Sequence, residues 1–199
     1  MRTANALERL FPGLPDPVLD SQRIFRAALE AFSHPGRSVA LPIAVQAPAP
    51  LDPASAAFLL TMADFETPIW LQEYSAAAAE YLRFHCGAPV AEHPGEARFA
   101  LATNPATMPD LDRYDLGQPE YPDRSTTLLI QVQRARRGNA VTLRGPGVKG
   151  TSVLEFDGLD ADFWLQWKRN DALFPCGVDV LFICGNTFCA LPRSTKAEA

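Results

Sequence analysis

Ser125–Gly150, STTLLIQVQRARRGNAVTLRGPGVKG, decides how this chain is read. Thr126–Val132 joins β-branched and apolar residues in a run of strand length. Arg136-Arg137-Gly138-Asn139 follows as a polar turn whose last two residues tolerate positive φ. Ala140–Leu143 leads back as a second strand, so the stretch predicts a β-hairpin. It ends at Arg144-Gly145-Pro146-Gly147-Val148-Lys149-Gly150, where three glycines, a proline and two cations allow the backbone to approach an anion closely. Two readings stand side by side: a glycine-rich reversal at a sheet end, or a loop that binds a small anion.

Toward the C-terminus, Thr151–Phe156 reads as a strand, and Asp157 or Asp160 can cap a helix running through Asn170 with Phe163, Trp164 and Trp167 on its inner face. Phe174-Pro175-Cys176-Gly177 leads into Val178–Cys184, a β-rich run apolar on both faces, which suits a central strand. Gly185-Asn186 turns the chain into Phe188–Leu191, and Pro192-Arg193 ends that strand.

Toward the N-terminus, Arg98–Ala102 is a strand, Asn104–Leu116 is open apart from a helical turn after Pro109, and 117–123 is a loop. Residues 1–19, with Pro12, Gly13, Pro15 and Pro17, read as a mobile lead-in. A first helix is expected from Asp20 or Ser21 to Phe32, stopped by His34-Pro35-Gly36, with Ser38–Leu41 as a short strand. Pro42–Pro53 is an extended connection, and Pro53 opens a buried helix over Ala54–Ala63. Ile69-Trp70-Leu71 is a strand, and Ser75–His85 an alanine-rich helix. Strands and helices interleave, so the class is α/β: one domain over 20–195 with a mixed sheet flanked by helices, followed by a tail at 196–199.

At 199 residues, 47% of them hydrophobic, the chain suits a single domain with a sizeable core. A net charge of −5 disfavours nucleic acid or an anionic membrane as main partner. No apolar run approaches the ~18 residues of a membrane helix, and the N-terminus lacks a signal-peptide h-region, so a cytoplasmic protein is expected. Cys86, Cys176, Cys184 and Cys189 form no zinc or iron–sulfur spacing, so no metal is expected. A pyridoxal enzyme needs a Schiff-base lysine, and of Lys149, Lys168 and Lys196 only Lys149 is a candidate, so no cofactor is expected either. A Cys86–His85 nucleophile is disfavoured, because adjacent helical residues point about 100° apart.

Several motifs resemble a known family in order and spacing. They are Pro35-Gly36-Arg37, Leu59–Leu71 (LLTMADFETPIWL), Leu82–Pro89 (LRFHCGAP), Ser125–Leu128, Leu143–Val148 (LRGPGV), Phe174–Asp179 (FPCGVD) and Leu191–Thr195 (LPRST). Over roughly 20–195 the chain resembles the H subunit of the carbon–phosphorus lyase system of bacterial phosphonate utilisation. The resemblance implies a non-catalytic subunit of a complex with the G, I and J proteins. That complex joins an alkylphosphonate to the ribose of ATP with release of adenine. It also implies a homodimer in isolation and a fold similar to the large domain of pyridoxal-phosphate-dependent transferases, without that cofactor. No catalytic residue carries over.

The polar residues of these motifs are the candidates for a ligand site or a subunit interface: Arg37, Asp64, Arg83, His85, Arg144, Gly145, Gly147, Asp179 and Arg193. The four arginines can form a phosphate-binding cluster, since a guanidinium holds two oxyanion oxygens at once. Alternatively, each pairs with Asp64, Asp179 or a helix C-terminal carbonyl and serves packing alone, which is the favoured reading. The rival to the subunit role that the resemblance implies is a phosphonate- or nucleotide-binding catalytic protein using the Arg144–Gly150 loop.

Overall fold

The structure is a computed structural model and describes residues 11–43, 45–133 and 140–198. Nine strands and four α-helices occur among them. The strands are β1 (Ser38–Ala40), β2 (Ile69–Leu71), β3 (Phe99–Ala102), β4 (Thr127–Gln131), β5 (Val141–Arg144), β6 (Ser152–Leu154), β7 (Asp179–Cys184), β8 (Thr187–Leu191) and β9 (Lys196–Glu198). The helices are α1 (Pro17–Ser33), α2 (Pro53–Met62), α3 (Ala76–Cys86) and α4 (Ala161–Ala172). Six strands make one mixed sheet in the order β1-β8-β7-β4-β3-β2, in which β7, β4, β3 and β2 run parallel, β8 runs against them, and β1 pairs antiparallel with β8 and so runs in their direction.

The two central strands explain their own composition. In β4, Leu128 and Ile130 face one layer and Leu129 the other; in β7, Val180 and Phe182 face one and Leu181 and Ile183 the other. Register sets Leu128 opposite Val180 and Ile130 opposite Phe182. Both faces are covered, so neither strand alternates with polar residues, and Val178–Cys184 takes the central place expected of it. One layer comprises α1, α2 and α3, with Ile24, Phe58, Leu59, Tyr81 and Leu82 buried against the sheet. The other comprises α4, with Phe163, Trp164 and Trp167, and a second sheet ordered β6-β5-β9.

That second sheet corrects the reading of Ser125–Leu143 as one hairpin. The turn at Arg136–Asn139 lies outside the described residues. The two arms do not pair: β4 is bonded on both sides, to β3 and β7, while β5 pairs antiparallel with β6 and β9. The physical reason lies in the alternation of β5. Val141 and Leu143 are buried while Arg144 is exposed, the pattern of a sheet with one solvated face. Such a strand does not suit a place inside a sheet covered on both faces, and β4 has no open edge left for it. The hairpin of the main sheet is β7–β8, turned at Gly185-Asn186.

Two chain ends also differ from expectation. Helix α1 begins four residues before Ser21, at Pro17, because proline at the first helical position costs little and Asp16 caps it. The Asp16 carboxylate accepts from Leu19 N–H at 3.1 Å, and Asp20 reaches back to Asp16 N–H at 2.9 Å. Asp20 is thus a buried member of the first turn and not the cap. At the other end, Lys196–Glu198 is not a tail: it is β9, with Ala197 opposite Leu143.

Asn104–Leu116 resolves into two short 3-10 turns, Pro105–Thr107 and Leu111–Arg113. No helix of the described residues is long and apolar enough to cross a membrane.

Candidate functional site

The structure sends the candidate residues to three separate places, and the four arginines do not converge on one cluster. The first place lies at the amino ends of β4 and β7, where Asp179 opens β7 and Arg193 follows β8. Arg193 Nε donates to both Asp179 oxygens at 3.1 Å, and Nη2 completes a bidentate pair with the same carboxylate. Nη1 donates to the carbonyls of Pro122 (2.8 Å) and Pro175 (3.3 Å), and Nη2 also reaches Ser125 Oγ. Arg193 N–H donates to Asp179 Oδ1 at 2.8 Å. This guanidinium already serves two loops and one strand end, so it ties elements together and does not wait for a ligand.

The second place is the glycine loop. Val148 N–H donates to the Gly145 carbonyl at 3.1 Å, a turn with Pro146 and Gly147 at its centre. Gly147 has φ of +78°, and a Cβ there would stand 2.2 Å from the Ser33 carbonyl oxygen. A Cβ on Gly145 would stand 3.0 Å from the Ser194 carbonyl. These glycines therefore permit close approach to the end of α1 and to the segment before β9. Arg37 pairs with Glu30 at 3.2 Å and Arg144 with Glu198 at 3.5 Å, all exposed. This geometry fits the glycine-rich reversal.

The third place is the C-terminal end of α3. Gly87 caps the helix in the left-handed region, φ +74°. His85 Nε2 lies 3.0 Å from the Phe11 carbonyl oxygen, which can only accept, so Nε2 carries the hydrogen. Gly13 sits where a Cβ would come within 2.7 Å of His85 Nδ1. His85 thus anchors the chain entering α1. Tyr81 assists by donating to Pro12 and Gln46 carbonyls at 3.2 and 3.3 Å, and burial pushes its phenol up to about 12, aided by the nearby Cys86 thiol. Burial likewise raises the Cys86 thiol, which donates to the Leu82 carbonyl at 3.0 Å and so makes no nucleophile. Asp64 closes its own loop through Glu66 N–H (2.9 Å) and Thr67 Oγ1 (3.1 Å). Arg83 is exposed and has no ion pair among the described residues. Beside it, Phe65 and Phe84 are exposed by 74% and 60%.

Sequence reasoning missed three polar side chains that position elements. Gln131, at the carboxyl end of β4, accepts from Asp52 N–H (2.8 Å) and Ser55 Oγ (2.9 Å) and donates to the Pro50 carbonyl (2.9 Å). Gln72, just past β2, accepts from the backbone of Thr103 and Asn104 at 2.9 Å each. Asn170 Oδ1 and Nδ2 bond both backbone groups of Val178 at 2.8 and 2.9 Å, setting the start of β7. Their only advance signal was a polar amide beside an apolar run, which is too common to single out. Gln131 and Gln72 also occupy the region outside the carboxyl ends of parallel strands, where open α/β sheets usually bind ligands. The 240 Å³ cavity left there is lined by Thr103, Gln131, Asp157 and their neighbours. Among the described residues no three His, Cys, Asp or Glu side chains gather to hold a metal ion.

Burial raises Asp52 above the ordinary carboxylate range, so folding holds its proton more tightly than the unfolded chain does. The ionised form then costs stability above that raised value, and the cost disappears as pH falls through it. Asp52→Asn is expected to raise the melting temperature slightly at pH 7 and to match the native chain near pH 4. A variant that melts lower at pH 7 would show instead that the charge helps cap α2.

The family model described as "Bacterial phosphonate metabolism protein (PhnH)" matches residues 12–198. The chain belongs to this family. A protein of Rhizobium meliloti (strain 1021) named "Alpha-D-ribose 1-methylphosphonate 5-triphosphate synthase subunit PhnH" is 40% identical over 185 residues, which cover 92% of each chain. A protein of Stutzerimonas stutzeri named "Putative C-P lyase subunit protein HtxG" is 31% identical over 177 residues, covering 87% of this chain and 84% of that one. The match takes in the segment at Phe11–Asp16 only from Pro12 onward and includes β9, so the residues that pack α3 and complete the second sheet fall within the family's span.

Proposed function

We propose that this chain is a subunit of the carbon–phosphorus lyase core complex. There it helps to form a ribose triphosphate phosphonate from ATP and an alkylphosphonate. In this reading its partners are the G, I and J proteins, it is a homodimer on its own, and it works in the cytoplasm. Its α/β layout follows the large domain of pyridoxal-phosphate-dependent transferases without using that cofactor. The observation that carries the proposal is the similarity, over nine-tenths of both chains, to a protein named as a synthase subunit. The internal engagement of Arg193, Asp179, His85 and the loop glycines supports an assembly role over a catalytic one. The exposed Phe65 and Phe84 supply an apolar patch that a partner can cover.

The test is purification of a tagged chain from cells expressing its neighbouring genes, with subunit stoichiometry and ATP-dependent adenine release measured on the same samples. Phe84→Ala and Arg83→Ala are expected to lower adenine release only in proportion to the assembled fraction. Arg144→Ala is expected to follow the same line. A fully assembled Arg144→Ala complex without turnover would overturn the assembly role and place chemistry at the glycine loop.

A further inference from the structure

Helix α4 also carries an exposed stripe beside its core face. Phe163, Trp164, Trp167 and Asn170 are buried, while Leu165 and Lys168 lie three residues apart on the exposed stripe, with only the edge of Trp164 reaching it. That stripe and the open edge strand β9 wall a cleft of about 720 Å³, against 440, 240 and 130 Å³ for cavities elsewhere on the molecule. A volume of this size is ordinary for a small-molecule site. The walls are fixed relative to each other, because Trp167 Nε1 donates to the Thr195 carbonyl at 2.9 Å in a buried bond just before β9.

The charges in the cleft are unusual for this chain. Only three of its 18 lysine and arginine residues are lysines, and two of those, Lys168 and Lys196, line this one cleft. Neither side chain has a hydrogen bond or ion pair among the described residues, whereas six arginines each have a carboxylate partner. Lys196 also lies directly opposite Arg144 across the β5–β9 pair. Like charges so placed repel, and an anion between or beside them relieves the repulsion. Of the two acids in the lining, Glu198 is engaged by Arg144 at 3.5 Å, and Asp171 is left with its carboxylate unbonded. The apolar wall is Leu165, 55% exposed, and the edge of Trp164, 8% exposed.

We propose that this cleft binds a phosphorylated sugar or nucleotide. Lys168 and Lys196 hold the phosphate oxygens as point charges. Leu165 and Trp164 pack against the apolar face of the sugar or base. Asp171 accepts a hydrogen bond from a sugar hydroxyl, a common role for a carboxylate in nucleotide sites. The site is distinct from the glycine loop, and its occupancy does not depend on assembly with partner subunits.

Calorimetric titration of the full chain at low salt tests this, with ATP, ribose 5-phosphate and inorganic tripolyphosphate as probes. ATP and ribose 5-phosphate are each expected to bind saturably and to weaken as salt rises. Lys168→Ala and Lys196→Ala, at native melting temperature, are each expected to lose about tenfold to a hundredfold in affinity, the effect of one charge-assisted contact. Lys149→Ala is expected to bind as the native chain does. Asp171→Asn is expected to weaken the two sugar ligands and leave tripolyphosphate unchanged. A ligand-induced change in tryptophan fluorescence that vanishes in Trp164→Phe would place the ligand in this cleft. Absence of saturable binding by both sugar phosphates would overturn the proposal, as would native affinity in both lysine variants. Binding of tripolyphosphate alone would overturn the assignment to a sugar ligand. Failure of co-purification with partner subunits, by contrast, would bear on the assembly role and not on this cleft.

Discussion

Val180→Asp is expected to abolish cooperative folding at pH 7. Val180 is fully buried in β7, opposite Leu128 on one neighbour and Leu191 on the other. The substitution removes about 1.5–3 kcal/mol of apolar burial and adds the much larger cost of an ionised carboxylate with no partner. Together these approach the whole stability of a domain, ~5–15 kcal/mol. Far-ultraviolet circular dichroism during thermal and urea unfolding reads the effect. Val180→Thr keeps the shape and adds only a hydroxyl, so it is expected to cost about 1–3 kcal/mol and to leave a cooperative transition. The new carboxyl would have a strongly raised pKa in the folded chain, so lowering the pH should recover part of the lost stability in Val180→Asp and none in Val180→Thr. A Val180→Asp protein melting within a few degrees of the native chain at pH 7 would contradict the central placement of β7.

The second large effect is expected at Arg193. Its side chain and that of Asp179 retain only 14% and 22% of their exposure, so the pair is well shielded from water. Arg193→Ala leaves that carboxylate unpaired, and the Pro122 and Pro175 carbonyls lose their donor. Breaking such a pair from one side typically costs about 3–5 kcal/mol. Arg193→Lys is expected to recover little, because an ammonium cannot hold both carboxylate oxygens and two carbonyls at once. In a double-mutant cycle, Asp179→Ala is expected to soften the loss from Arg193→Ala, since it removes the orphaned charge. Urea midpoints for the four proteins measure this coupling. A cost below about 1 kcal/mol for Arg193→Ala, or full recovery with lysine, would show that the arginine is free for another role.

The two cases illustrate different degrees of legibility. Val178–Cys184 could be read from composition, because a strand covered on both faces must be apolar at every position. Arg193 and Asp179 could be picked out as polar residues of matched motifs, yet their mutual pairing could not. They lie fourteen residues apart, joined through the β7–β8 turn, and each had other partners available in sequence. The proposed arginine cluster illustrates the same point. Arg37, Arg83, Arg144 and Arg193 are chemically equivalent on paper, and the fold gives the first, third and last different carboxylates.

Local chemistry in the sequence was enough to determine where most helices and strands run, that β4 and β7 are central, and which family the chain resembles. Those properties depend on residues within a few positions of one another: proline and glycine stops, caps such as Ser75 and Asp160, and alternation along a strand. The tertiary structure alone decided that β5 leaves β4 for a second sheet and that Lys196–Glu198 becomes its edge strand. It also decided that Gly147 meets Ser33, and that two lysines 28 residues apart share one cleft with Trp164. Each of these depends on which surface remains uncovered once the central strands have taken their neighbours, and that is a property of the packed chain as a whole.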